Sequence, residues 1–122
     1  MNTSQLLNHI LRHGGATINP KNLKLYTGQG YGVAISKSYE VKIGLSGDVK
    51  DLHGLFNSAL TASRFNAMSR KGCYIGAWID DGTLYLDVTE IVGDYKQALS
   101  LGVKRAQLAI YDFNNNQAIN VA

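Results

Sequence analysis

The chain has 122 residues, 45% of them hydrophobic and 17% charged, with a formal charge of +3. That length and apolar content predict one cored domain over residues 1–122 and exclude a wholly disordered chain. The single cysteine, Cys73, excludes an internal disulfide framework and a cysteine-rich zinc site, and the sparse scattered charge excludes a dense basic stripe.

No apolar run approaches the ~18–20 residues of a membrane span, and the polar start MNTSQ is unlike a signal peptide. A cytoplasmic protein is expected. From the N-terminus, Thr3 or Ser4 can cap a first helix whose Leu6, Leu7, Ile10 and Leu11 form an apolar stripe. Arg12 and His13 suit its last turn, and Gly14-Gly15 ends it. A turn-prone Asn19–Asn22 and a glycine-rich run at 28–32 follow. Tyr31–Ile35 and Tyr39–Ile43 have the apolar patterning of short strands. A longer helix is predicted from about Asp48 to Arg70, with Ser46 as cap and Val49, Leu52, Phe56, Ala59 and Leu60 facing the core.

Cys73–Ile79 and Thr83–Val92 are predicted to pair through an Asp-Gly turn. Asp94 followed by Gln97 marks the start of a helix through about Lys104. Leu108–Tyr111 and Ala118–Val121 close the chain as strands around an asparagine turn. The expected fold is α+β: one domain, an antiparallel or mixed sheet built from hairpins, and about three helices mainly on one face.

A two-residue turn at Asp81-Gly82 fixes a register in which Trp78 faces Tyr85 and Gly76 faces Asp87. Alternation then sends Ile75, Ala77, Ile79, Leu84, Leu86 and Val88 to the core. Tyr74, Trp78, Tyr85, Asp87 and Thr89 fall on the other face, with Gly76 leaving room beside Asp87. That face is a candidate partner-binding surface. An ordinary amphipathic sheet surface, or one covered by a helix, is the simpler account of the same pattern, because aromatic cross-strand pairs stabilise hairpins without a ligand.

Other chemistry is thinly represented. Gly28, Gly30 and Gly32 imitate a dinucleotide fingerprint but precede a strand instead of linking strand to helix, so a flexible turn is the better account. His9 and His13 share a helix face but lack a carboxylate to complete a metal site, so no metal and no cofactor is expected. Cys73 is expected to be a small buried residue. Asp87, Glu90 and Asp112 are the carboxylates without a turn or cap role, and would serve a small hydrolase or metal-dependent enzyme only if they converged. Glu90 falls on the core face opposite Cys73, where it is expected at the sheet end in reach of water. Arg64, Arg70, Lys71, Lys104 and Arg105, with aromatics, would form a single-strand nucleic-acid surface if they met; as helix-end residues they are otherwise solvated.

The blocks LLNHILRHGGATINP (6–20), GAWIDDGTLYLDVTEIVGDYKQALSLG (76–102) and QLAIYDF (107–113) resemble a group of small proteins encoded by phages, prophages and related mobile elements, mainly actinobacterial. No catalytic residue carries over from that group. The resemblance implies a small protein made in an infected or lysogenic bacterium. Mobile elements often use small non-enzymatic domains to bind and block a host protein, including restriction or CRISPR components. The expected function is therefore binding of a protein partner, in a chain that also suits a homo-oligomer; nucleic-acid binding is the first alternative and an enzyme the second.

Overall fold

The turn at Asp81-Gly82 organises the molecule. Both residues have positive φ, +48° and +72°, the conformation that lets two antiparallel strands cross tightly with their natural twist. The computed structural model, which describes residues 1–45 and 51–122, pairs β4 (Cys73–Asp80) with β5 (Thr83–Val92) along the whole of β4. The register is the expected one: Asp80↔Thr83, Trp78↔Tyr85, Gly76↔Asp87 and Cys73↔Glu90.

Around this hairpin the sheet grows on both edges. β1 (Gly15–Ile18) pairs with β4, and β2 (Tyr31–Ala34) with β5; β6 (Ala109–Asp112) and β7 (Gln117–Asn120) extend the sheet beyond β2. β3 (Val41–Gly44) also pairs with β5, next to the Asp-Gly turn. All these ladders are antiparallel, which decides between the two sheet types left open by the sequence. The strand at Gly15–Ile18 is not predicted by the sequence; its pairing to a partner some sixty residues away leaves no local signal.

β2 and β3 share one edge of β5 and are separated by a looped-out segment. Ala34 stands opposite Thr89 and Val41 opposite Leu86, so residues 35–40 face only Asp87 and Val88. Ile35 N–H still reaches the Val88 carbonyl at 2.8 Å. The expected strand Tyr39–Ile43 accordingly starts late. Lys37–Tyr39 is a 3-10 turn because the Ser36 hydroxyl captures the Ser38 N–H, and Tyr39 packs into the core under Arg70, whose guanidinium carbon lies 5.1 Å from its ring.

The three helices among the described residues lie on one face of the sheet. α1 (Thr3–His13) is capped by Asn2, not by Thr3 or Ser4: Asn2 accepts from Gln5 N–H and Gln5 returns the bond to Asn2 N–H. Leu6, Leu7 and Ile10 are fully buried, whereas Leu11 is exposed. α2 (Leu52–Met68) begins at the Asp51 cap, which accepts from Gly54 N–H at 3.1 Å. The expected start at Asp48, its cap Ser46 and the core residue Val49 lie outside the described residues. Phe56, Ala59, Leu60 and Ala67 of α2 join Ile75, Ala77, Leu84, Leu86 and Val88 in the main core. α3 (Tyr95–Lys104), capped by Asp94 on Gln97 N–H, packs Ala98 against Val33, Val92 and Ile110 in a second cluster. Each large side chain fully buried this way contributes roughly 1.5–3 kcal/mol. Among the described residues, no helix is long and apolar enough to cross a membrane.

Candidate functional site

Because Ile75, Ala77, Leu84, Leu86 and Val88 point to the helices, the intervening residues of β4 and β5 point away from them. The face thus defined carries Tyr74, Gly76, Trp78, Tyr85, Asp87 and Thr89, with Thr17 on β1 and Lys42 on β3 in the neighbouring rows. Among the described residues, none of the three helices covers it. Tyr26, from the loop after β1, reaches over one end, 5.2 Å from the Tyr74 ring and 4.9 Å from the Phe113 ring. Phe113 in turn meets Tyr111 at 5.0 Å. These aromatics pack on one another where a helix would otherwise lie.

Trp78 and Tyr85 form the other half of the surface. Their rings stack 4.1 Å apart and nearly parallel, at 13°, as a cross-strand pair should when its register is fixed by a tight turn. Both side chains keep partial exposure. The Lys42 ammonium lies 5.6 Å from the centre of the Tyr85 ring and 3.7 Å from Glu40.

Asp87 forms the floor. It is only 8% exposed, and Thr89 beside it 6%. The Trp78 indole N–H donates to Asp87 Oδ2 at 3.2 Å, and the Thr89 hydroxyl donates to Oδ1 at 2.5 Å. The room left by Gly76 is taken by this carboxylate: a Cβ on Gly76 would collide with Asp87 Oδ1 and come within 2.7 Å of Thr89 Oγ1. Burial pushes the Asp87 carboxyl up to about 6 against the hydrogen bonds from Thr89, Trp78 and the Gly76 backbone that pull it down, and the Glu40 charge adds to the rise. Of the five candidate contact residues, then, Tyr74, Trp78 and Tyr85 line the surface, while Asp87 and Thr89 lie beneath it.

The three carboxylates considered for catalysis do not converge. Asp87 faces away from the helices; Glu90 and Asp112 lie on the helix side. Glu90, 33% exposed, binds the Arg105 guanidinium at 2.5 Å, which resolves its odd place opposite Cys73. Asp112 closes its turn, accepting from Asn114 N–H at 2.8 Å and from the Asn115 side chain at 2.8 Å; these bonds, the Asn115 amide foremost, hold its carboxyl below the ordinary range. Burial, then the Glu90 charge, pushes the Cys73 thiol up and away from a reactive thiolate. His9 and His13 stack 4.3 Å apart, and burial followed by the His13 charge lowers the His9 pKa. Among the described residues, no three His, Cys, Asp or Glu side chains are grouped to hold a metal ion.

The basic residues also stay apart from the aromatic stack. Arg64 donates to the Pro20 and Lys21 carbonyls at 2.8 and 3.2 Å, Arg70 to the Tyr39 hydroxyl at 3.0 Å, and Arg105 is held by Glu90. Lys71 and Lys104 are exposed near the ends of α2 and α3. A groove of about 470 Å³ beyond the end of α2 brings Lys21, Arg70, Lys71 and Tyr74 to its walls, but Trp78 and Tyr85 are not among them.

Sequence reasoning missed Tyr26, Phe113, Lys42 and Glu40. Tyr111 and Phe113, two apart in a strand, carried a usable signal, since alternation puts both on one face. Tyr26 carried none, because its place is set by a loop returning along β1, where its N–H bonds the Thr17 carbonyl at 2.8 Å. In comparisons with known proteins, the chain matches no family model, no curated protein and no solved structure.

Proposed function

We propose that this chain is a non-enzymatic binding domain of a phage or mobile element. It acts in the cytoplasm of a bacterial host by docking its helix-free sheet face onto a protein, such as a component of restriction or CRISPR defence. The single observation that carries the reading is the stacked, partly exposed Trp78–Tyr85 pair on a face that, among the described residues, no helix covers. Tryptophan and tyrosine are the residues that most often anchor protein interfaces, because they bury a large area at little entropic cost. The engagement of Arg64, Arg70 and Arg105 within the fold favours a protein over a nucleic acid as partner.

The test is capture from lysate of the native host, with and without nuclease, comparing the wild-type chain with Trp78→Ala/Tyr85→Ala. A stoichiometric protein retained by the wild type after nuclease and lost by the folded double variant is the expected result. Equal retention by both would remove this face as the contact, and retention that disappears with nuclease would transfer the function to nucleic acid. Size-exclusion chromatography of the same two proteins reports whether the face also joins copies of the chain.

A further inference from the structure

A buried carboxylate usually has a cation beside it, or gives up its charge. Neither ion pair among the described residues includes Asp87: Lys42 is engaged by Glu40, and Arg105 by Glu90. What holds Asp87 is the indole N–H of Trp78 and the hydroxyl of Thr89, so one of the two rings of the exposed stack is bonded directly to an acid beneath the surface. We propose that Asp87 is a proton-operated switch, its protonation state setting the seating of the Trp78–Tyr85 stack and thereby the contact surface presented to a partner. The last step rests on the reading of this face as a docking surface.

The groups around Asp87 support a change of state at this position. Glu40, between the 3-10 turn and β3, adds negative charge, and on β3 the Lys42 ammonium lies by the Tyr85 ring and Glu40. β4 contributes Tyr74 and the exposed Asp80, β5 contributes Tyr85, and β1 offers only Thr17. On the remaining side the edge of β5 meets the looped-out segment 35–40 instead of a regular strand. When the proton leaves Asp87 for solvent, the new charge has no cation paired with it among the described residues and calls for water, which reaches it from the outer side where Trp78 and Tyr85 are stacked. Docking of a partner, which excludes water further, favours the protonated form, so binding takes up a proton and strengthens as pH falls through the transition.

Trp78 is the only tryptophan of the chain, so its fluorescence reports this one site. The experiment is a pH titration of the isolated full chain, read by tryptophan fluorescence and by the side-chain carboxyl carbon resonance of Asp87, with Asp87→Asn as control. The expected result is a common midpoint near 6 in the wild type and a flat fluorescence profile in the variant. An Asp87 midpoint near the ordinary value of about 4 would overturn the proposal. So would a midpoint near 6 with no change at Trp78, since the charge would then not reach the stack. If Asp87→Asn does not fold, the two wild-type signals decide by their coincidence or its absence. No partner takes part, so failure here leaves the docking reading standing, and failure of capture removes only the last step and leaves the coupling of Asp87 to the stack standing.

Discussion

Asp87 has an energetic consequence that can be measured apart from any binding. Its carboxyl ordinarily titrates at 3.8 and in the folded chain at about 6, so the folded state holds the proton more tightly than the unfolded state does. The stability this group contributes is therefore fully present below about pH 4 and is lost as pH rises through 6, by roughly 3 kcal/mol in total. Asp87→Asn keeps an acceptor for Trp78 and a donor for Thr89 but removes the charge. Urea unfolding should find the two proteins similar near pH 4 and the variant more stable by up to roughly 3 kcal/mol at pH 8. A difference that does not vary with pH would show that Asp87 does not titrate in this window. The position of Asp87 opposite Gly76 was legible in the sequence, because a two-residue turn fixes every pair that follows it. Its burial was not legible, since alternation assigns a face and is silent about what lies over it.

Among the elements, the hairpin was the most legible and the short strands the least. β4 and β5 are long, alternate cleanly and are joined by the turn chemistry they require. β1 and β3 have four residues each and owe their state to pairing with the hairpin, so their limits shifted or went unseen. α3 shows the same dependence on a neighbour. Its cap and length follow from local sequence, but Gly102 near its end is buried against β6 and the C-terminal segment. A Cβ there would sit 2.9 Å from Ile110 Cγ2 and 3.2 Å from Val121 Cγ2. Gly102→Ala, which would raise helix propensity in isolation, should instead destabilise the chain by about 1–3 kcal/mol through this overlap. Thermal unfolding checks the sign: a higher Tm in the variant would mean that α3 can move off β6 at little cost.

Across the molecule, the three helices among the described residues lie on one side of the sheet, and the opposite side is the face proposed to dock a partner. The charge of +3 is small, and three arginines are engaged by carbonyl, hydroxyl and carboxylate oxygens on or near the helical side. Partner binding through the opposite face should thus depend weakly on salt. A logarithmic plot of affinity against salt steeper than about −3 would signal the release of several phosphate counterions and favour a nucleic acid.

The α+β class, the central hairpin with its register, and the two faces of β4 and β5 were readable along the chain. Those follow from periodicity and turn chemistry, which act between residues near in the chain. What depended on the packing is that, among the described residues, the helices leave one face uncovered and Asp87 is buried with no cation paired to it, that Tyr26 and Phe113 join the aromatics of that face, and that Glu90 and Asp112 are turned away from Asp87. Each of these depends on which distant segments come to lie side by side, and a pattern of side chains along one segment carries no record of its neighbours in space.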